Sequence, residues 1–171
     1  DYGAQKPGNT LTVIDPREAK VLRTIELVRT IERDGEQVEE RFLRPHGIQF
    51  LADGKRVAVT SETARKLLVV DVDRGVLERA IQTDAQASHM VALAADGKRA
   101  FVANIGSGSV SAIDLERDEL LAVVATGRGS EGIAVRPSFL KSGRLAESAK
   151  APMSKRSLAV SPPPVKSGTL A

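Results

Sequence analysis

The stretch PHGIQFLADGKRVAVTSETARKLLVVD at residues 45–71 returns 43 residues later as SHMVALAADGKRAFVANIGSGSVSAID at residues 88–114. Ile48 and Phe50 share one face of a short strand, and Val91 and Leu93 hold the same places in the second copy. That period of two marks a strand with a packed face. Each strand, at 47–51 and 90–94, runs into ADGKR, at 52–56 and 95–99. Asp-Gly is a strong hairpin signal, because Gly54 and Gly97 can take the positive φ that the turn requires. Second strands follow at 57–60 and 100–103, third strands at 67–70 and 110–113, and outer strands at 76–81 and 120–124. Short antiparallel strands joined by tight turns form a meander, and a period near 40 with four strands reads as one β-propeller blade.

The same frame extends in both directions. NTLTVIDPREAKVLRTIEL at 9–27 matches a third and fourth strand, with Asp15 in the place of Asp71 and Asp114. GIAVRP, starting at Gly132, matches a first strand. The expected fold class is therefore all-β, a partial β-propeller within residues 1–137. It holds a half blade at 9–27, blades at 47–82 and 90–125, and the first strand of a further blade at 132–136. Asp15 precedes His46 by 31 residues, whereas Asp71 precedes His89 by 18, so 13 residues are inserted. The inserted loop at 28–42 is charged and has its own Asp34-Gly35 turn, which predicts a protruding hairpin, either a solvated elaboration or a lid or partner contact. A blade buries its two faces only against neighbours. About two and a half of an expected seven blades cannot close, so the remaining blades are expected as missing partners at both ends.

Four Phe, one Tyr and no Trp leave the core to Val, Leu, Ile and Ala. No stretch approaches the roughly 18 apolar residues of a membrane span, so no transmembrane segment is expected. Without cysteine there are neither disulfides nor thiolate metal sites. The formal charge of +3 is unevenly placed: residues 137–171 carry a net +5 and the repeats a net −2. A nucleic-acid reader carries its positive charge as a patch on the folded surface, so nucleic acid is not an expected partner. Residues 138–171 read as a basic tail containing proline and serine, disordered or out of frame, in which Ser138-Phe139 stands where the Asp-Gly turn should fall.

Both histidines occupy one repeat position, His46 in RPH and His89 in ASH, with Glu131 in the third copy. An innermost strand lines the central channel, so these three are candidate ligand-binding residues at the channel mouth, with Arg44, Arg128 and Ser130 in the same loops. Such a ring suits a divalent cation, a phosphate or carboxylate, or a general-base pair. Neighbouring blades are expected to hold the side chains too far apart to share one ion. No metal site, cofactor or catalytic residue is assigned; a small molecule or a protein is the expected ligand. Asp15, Asp53, Asp71, Asp96 and Asp114, with Gly54 and Gly97, read as structural turn residues. Gly106-Ser107-Gly108 is a turn, because no helix or Lys-Ser/Thr pair follows it.

The order of first strand, Asp-Gly turn and second strand resembles the YVTN-type propeller repeat. Val102-Ala103-Asn104 carries the Val-Thr-Asn part, with Phe101 for Tyr, and Val59-Thr60-Ser61 carries it in the earlier copy. Both copies have alanine, Ala52 and Ala95, where the family has proline. The resemblance covers about residues 9–137. It implies bacterial or archaeal seven-bladed YVTN/lactonase-like propellers, commonly periplasmic or extracellular. The expected role is a scaffold for ligand or protein binding. The alternatives are a lactonase-like hydrolase or redox-associated propeller, and a structural surface-layer protein.

Overall fold

The computed structural model describes residues 8–136, and among these there are twelve strands and no helix. The expectations for residues 1–7 and 137–171, the basic tail included, lie outside the described residues. Two four-stranded antiparallel meanders are present. The middle blade joins β5 (Pro45–Phe50), β6 (Arg56–Ser61), β7 (Lys66–Asp71) and β8 (Val76–Gln82) in that order. The trailing blade does the same with β9 (Ser88–Leu93), β10 (Arg99–Asn104), β11 (Ser109–Asp114) and β12 (Glu119–Ala125). Ahead of them stand two two-stranded sheets, β1 (Thr10–Asp15) with β2 (Lys20–Glu26), and β3 (Val28–Arg33) with β4 (Glu36–Arg41). The fold is all-β and is that of part of a β-propeller.

Strand alternation divides the core between two joints. In the middle blade Val57, Val59, Leu68 and Val70 face one way and pack on Ile25, Leu27 and Phe42. Ala58, Leu67 and Val69 face the other way and pack on Val91, Ala100, Val102 and Ile113 of the trailing blade. Each such Val or Leu contributes about 1.5–3 kcal/mol by leaving water. The middle blade, covered on both sides, is thus the best-buried part of the described chain.

The two joints differ chemically at equivalent positions. Between the middle and trailing blades Asn104 is fully buried, and its Nδ2 donates to Ser111 Oγ (2.9 Å) and the Val102 carbonyl (3.2 Å). Ser111 donates to the Thr83 carbonyl (2.7 Å), Thr83 and Ser88 hydroxyls meet at 2.7 Å, and Ser88 donates to Asn104 Oδ1 (3.2 Å). The loop of bonds satisfies polar groups that would otherwise each cost about 1–3 kcal/mol. One period earlier Ser61, Lys66 and Leu68 stand at the positions of Asn104, Ser109 and Ser111. There the joint is closed by the fully buried Phe42 at the foot of β4. Lys66 Nζ and the Arg29 guanidinium each lie 5.5 Å from the Phe42 ring centre, and both bond Glu40, at 3.0 and 2.6 Å. Burial alone would raise the Glu40 pKa, but the hydrogen bonds from Lys66 and Arg29 outweigh it and hold the carboxyl below its usual range. The β3–β4 hairpin turns at Asp34 and Gly35, both at positive φ (55° and 82°), and is rooted in the joint by these contacts.

Two differences from the sequence reading concern strand ends. Residues 131–136 form no strand. A first strand needs the second strand of its own meander as hydrogen-bond partner, and no Asp-Gly turn follows to supply one. β5 and β9 begin two residues earlier than the alternation suggests, which places His46 and His89 inside strands rather than in the loops before them.

Candidate functional site

Both histidines sit in β-bulges. On β5, Pro45 pairs with Ser61 and Ile48 with Val59, so His46 and Gly47 together oppose Thr60. On β9, Ser88 pairs with Asn104 and Met90 with Ala103, leaving His89 as the extra residue. A bulge takes a side chain out of the strand's two-sided alternation and re-aims it. Here the same irregularity, repeated 43 residues on, turns both imidazoles the same way. Their rings stack with centroids 3.7 Å apart and a 30° tilt between planes.

Backbone contact between the strands makes this proximity possible. A Cβ on Gly47 would lie 2.5 Å from the His89 oxygen, 2.7 Å from Met90 Cα and 2.8 Å from Val91 N. The residue must lack a side chain for β9 to come so close. The buried Thr60 hydroxyl spans the gap, accepting from the Gly47 N–H (2.8 Å) and donating to the His89 carbonyl (2.5 Å). Gln49 Oε1 accepts the Leu93 N–H at 3.0 Å. The expected separation of the two histidines is therefore corrected: they are in contact.

They still do not chelate. Imidazole lone pairs lie in the ring planes, and rings stacked 3.7 Å apart with a 30° tilt have planes that converge too far off for one ion to sit about 2.0–2.1 Å from a nitrogen of each. Among the described residues no group of three His, Asp or Glu side chains is gathered for a metal ion. His46 is exposed, whereas His89 is half-buried and its Nδ1 is enclosed without a hydrogen-bond partner.

The other candidate residues are placed as follows. Arg44 takes positive φ (52°), as does Ala87 at the same repeat position, and its guanidinium lies 3.6 Å from Glu62. Ser130 bonds within its own turn, to Thr126 Oγ1 (2.6 Å) and the Gly127 carbonyl (3.1 Å). Arg128 and Glu131 are exposed. The stacking contact thus joins two members of the expected ring, His46 and His89.

The turn aspartates all accept backbone N–H groups. Asp53 takes Lys55 and Arg56 (2.9 and 3.0 Å), Asp96 takes Lys98 (3.0 Å), and Asp71 takes Arg74 (2.8 Å). Asp114 takes Glu116 and Arg117 (2.8 and 3.0 Å), and Asp15 takes Arg17 (2.8 Å). The Arg56 and Lys55 amides, with the Arg56 side chain, pull the Asp53 carboxyl down to about 2. The same kind of contact, led by the Arg117 amide, lowers Asp114. Gly54 and Gly97 both have φ of 68°.

Three residues hold the blades together without standing out as site residues in the sequence: Thr60, which figures there only in the repeat motif, and Arg23 and Arg79. The first bridges blades beneath the histidines. The other two stand at one repeat position and each reach across a joint, Arg23 to the Asp73 carbonyl (2.5 Å) and Arg79 to the Leu115 carbonyl (2.5 Å). The recurrence of arginine at that position was the available signal.

No protein-family model matches the sequence, and no curated protein matches it. Solved structures do. Hydrazine synthase of Kuenenia stuttgartiensis is similar with a TM-score of 0.58 and 21% identity, over 71% of this chain and 31% of its own. The dihydro-heme d1 dehydrogenase NirN gives 0.55 and 17%, over 77% and 26%. AztD from Citrobacter koseri gives 0.55 and 17%, over 78% and 33%. These neighbours are β-propeller proteins of varied function, and at such identities the likeness establishes the fold and no one reaction. The chain spans about a quarter to a third of their length. No helix of the described residues is long and apolar enough to cross a membrane.

Proposed function

We propose that this chain supplies consecutive blades to a closed ring of the YVTN-repeat kind. In this reading it acts as a binding scaffold whose inner mouth holds a small anionic ligand at His46 and His89. The observation that carries the reading is the stacked histidine pair, set by two equivalent bulges on adjacent innermost strands. An imidazole N–H donates to carboxylate or phosphate oxygen in either protonation state, and more strongly as imidazolium. The exposed ring of His46 presents this donor to solvent. The repeat resemblance at Val102-Ala103-Asn104 and Val59-Thr60-Ser61 supports the family assignment, and with it a periplasmic or extracellular location.

The test uses inorganic phosphate and acetate as probes, followed through the imidazole NMR signals of the two histidines. Saturable shifts are expected, with His46→Ala and His89→Ala each weakening binding about tenfold, or roughly 1.4 kcal/mol. Absence of a saturable shift with both probes would overturn the reading. Lactone hydrolysis lost in either variant, with probe binding retained, favours the hydrolase alternative.

A further inference from the structure

The ring centroids of His46 and His89 lie 3.7 Å apart, and neither imidazole is hydrogen-bonded or ion-paired among the described residues. β5 and β9 carry no other charged side chain. Their partner strands β6 and β10 carry Arg56 and Arg99, each at the end away from the histidines. In the adjoining loops Arg44 lies 3.6 Å from Glu62, whereas Arg65, Asp84, Arg128 and Glu131 are exposed. Thus no carboxylate of the described residues is paired with either ring.

One positive charge on such a pair can sit at His46, which is exposed to water. A second is opposed in two ways. It would set two cations face to face at 3.7 Å, where like charges disfavour each other. Charging His89 would also make both of its ring nitrogens donors, and its Nδ1 is enclosed with no acceptor. The strands cannot part to relieve the repulsion. Thr60 bonds both, and the Gly47 backbone lies against residues 89–91.

We infer that the histidine pair takes up a proton together with its ligand: the free pair carries a single charge, and a doubly charged oxyanion bound against it brings in the second. The inference rests on the reading of the pair as an anion site, and adds the charge class of the ligand and its regulation by pH. The bound anion supplies the negative charge that no protein carboxylate provides, so it binds the doubly protonated pair better than the singly protonated one. Linkage is reciprocal, so a ligand that favours proton uptake is held more tightly as the pH falls and released as it rises.

The experiment titrates sulfate, whose own charge stays constant, into the 171-residue chain between about pH 5 and 8 and follows the imidazole NMR signals. Affinity is expected to rise about tenfold per pH unit where one proton enters with each anion. In the unaltered chain the rise should continue below about pH 6.5, the ordinary imidazole value. In His46→Asn and His89→Asn it should level off near that value, because a lone ring is already charged before the anion arrives. Calorimetry of the unaltered chain in two buffers of different ionisation enthalpy counts the proton directly, and so does not depend on how the variants fold. Saturable sulfate binding without proton uptake, or a rise that levels off at one pH in all three chains, would overturn the inference and leave the anion site standing. No saturable binding at any pH would overturn both.

Discussion

Replacing Gly47 by alanine tests the contact on which the histidine pair depends. The new methyl would sit 2.5–2.8 Å from three backbone atoms of residues 89–91. Ordinary contact begins near 3.4 Å, so β5 and β9 must part by roughly 0.6–0.9 Å, and no neighbouring side chain can rotate aside to avoid it. Gly47 is not at positive φ, so the cost is steric rather than conformational. Overpacking of this kind costs about 1–3 kcal/mol. Weakening the Thr60 bridge adds about 1 kcal/mol, and the reduced freedom of the unfolded chain returns about 0.4–1 kcal/mol. The expected net loss is about 1–3.5 kcal/mol. With a urea m-value of about 2 kcal/mol/M, the unfolding midpoint should fall by roughly 0.5–2 M. Gly132→Ala is the internal control, because nothing lies within 4 Å of a Cβ there. A Gly47→Ala midpoint equal to that of the Gly132→Ala control would refute the claim that backbone approach fixes the inner mouth.

Two further outcomes follow from the polar contacts. Asn104→Ala breaks the closed loop of bonds among Thr83, Ser88 and Ser111, leaving buried hydroxyls short of partners; a stability loss of about 2–3 kcal/mol is expected in urea unfolding, and a loss below 0.5 kcal/mol, roughly the scatter of a surface substitution, would count against the network. Asp53 has a carboxyl held near 2, below its unfolded value, so its contribution is complete above about pH 4 and lost as the pH falls toward 2. Solvent screening at this surface turn keeps that contribution below about 1 kcal/mol. Asp53→Ala should therefore flatten the acid limb of the stability curve in that window, and an unchanged limb would show the turn bonds to be inert.

Much of the strand frame was legible because it rests on local signals. Alternating Val, Leu and Ile, two ADGKR turns and Asp34-Gly35 each act within a few residues, and the sheets fall where those signals stand. The histidine geometry was not legible in the same way. Alternation alone cannot show that Thr60 will face two residues on β5, nor that His89 will be skipped by β10. Gly47 could be noticed as glycine, but its reason is a backbone 42 residues away. Asn104 stood out as part of the repeat motif, yet Thr83, Ser88 and Ser111, which complete its loop of bonds, belong to three other segments. Each is an ordinary polar residue until the joint assembles.

The unlike closures of the two joints have a consequence for the order of the repeats. A chain made of near-identical blades risks docking the wrong neighbours, because every apolar face resembles every other. Here one joint demands a hydrogen-bonding hub and the other an aromatic ring flanked by two cations. Placing Asn104 against Phe42 would leave an amide without partners, and placing Lys66 against Ser88 would bury an ammonium with no carboxylate. The inserted hairpin thus makes one of the two described seams chemically unlike the other, which disfavours exchanging their partners.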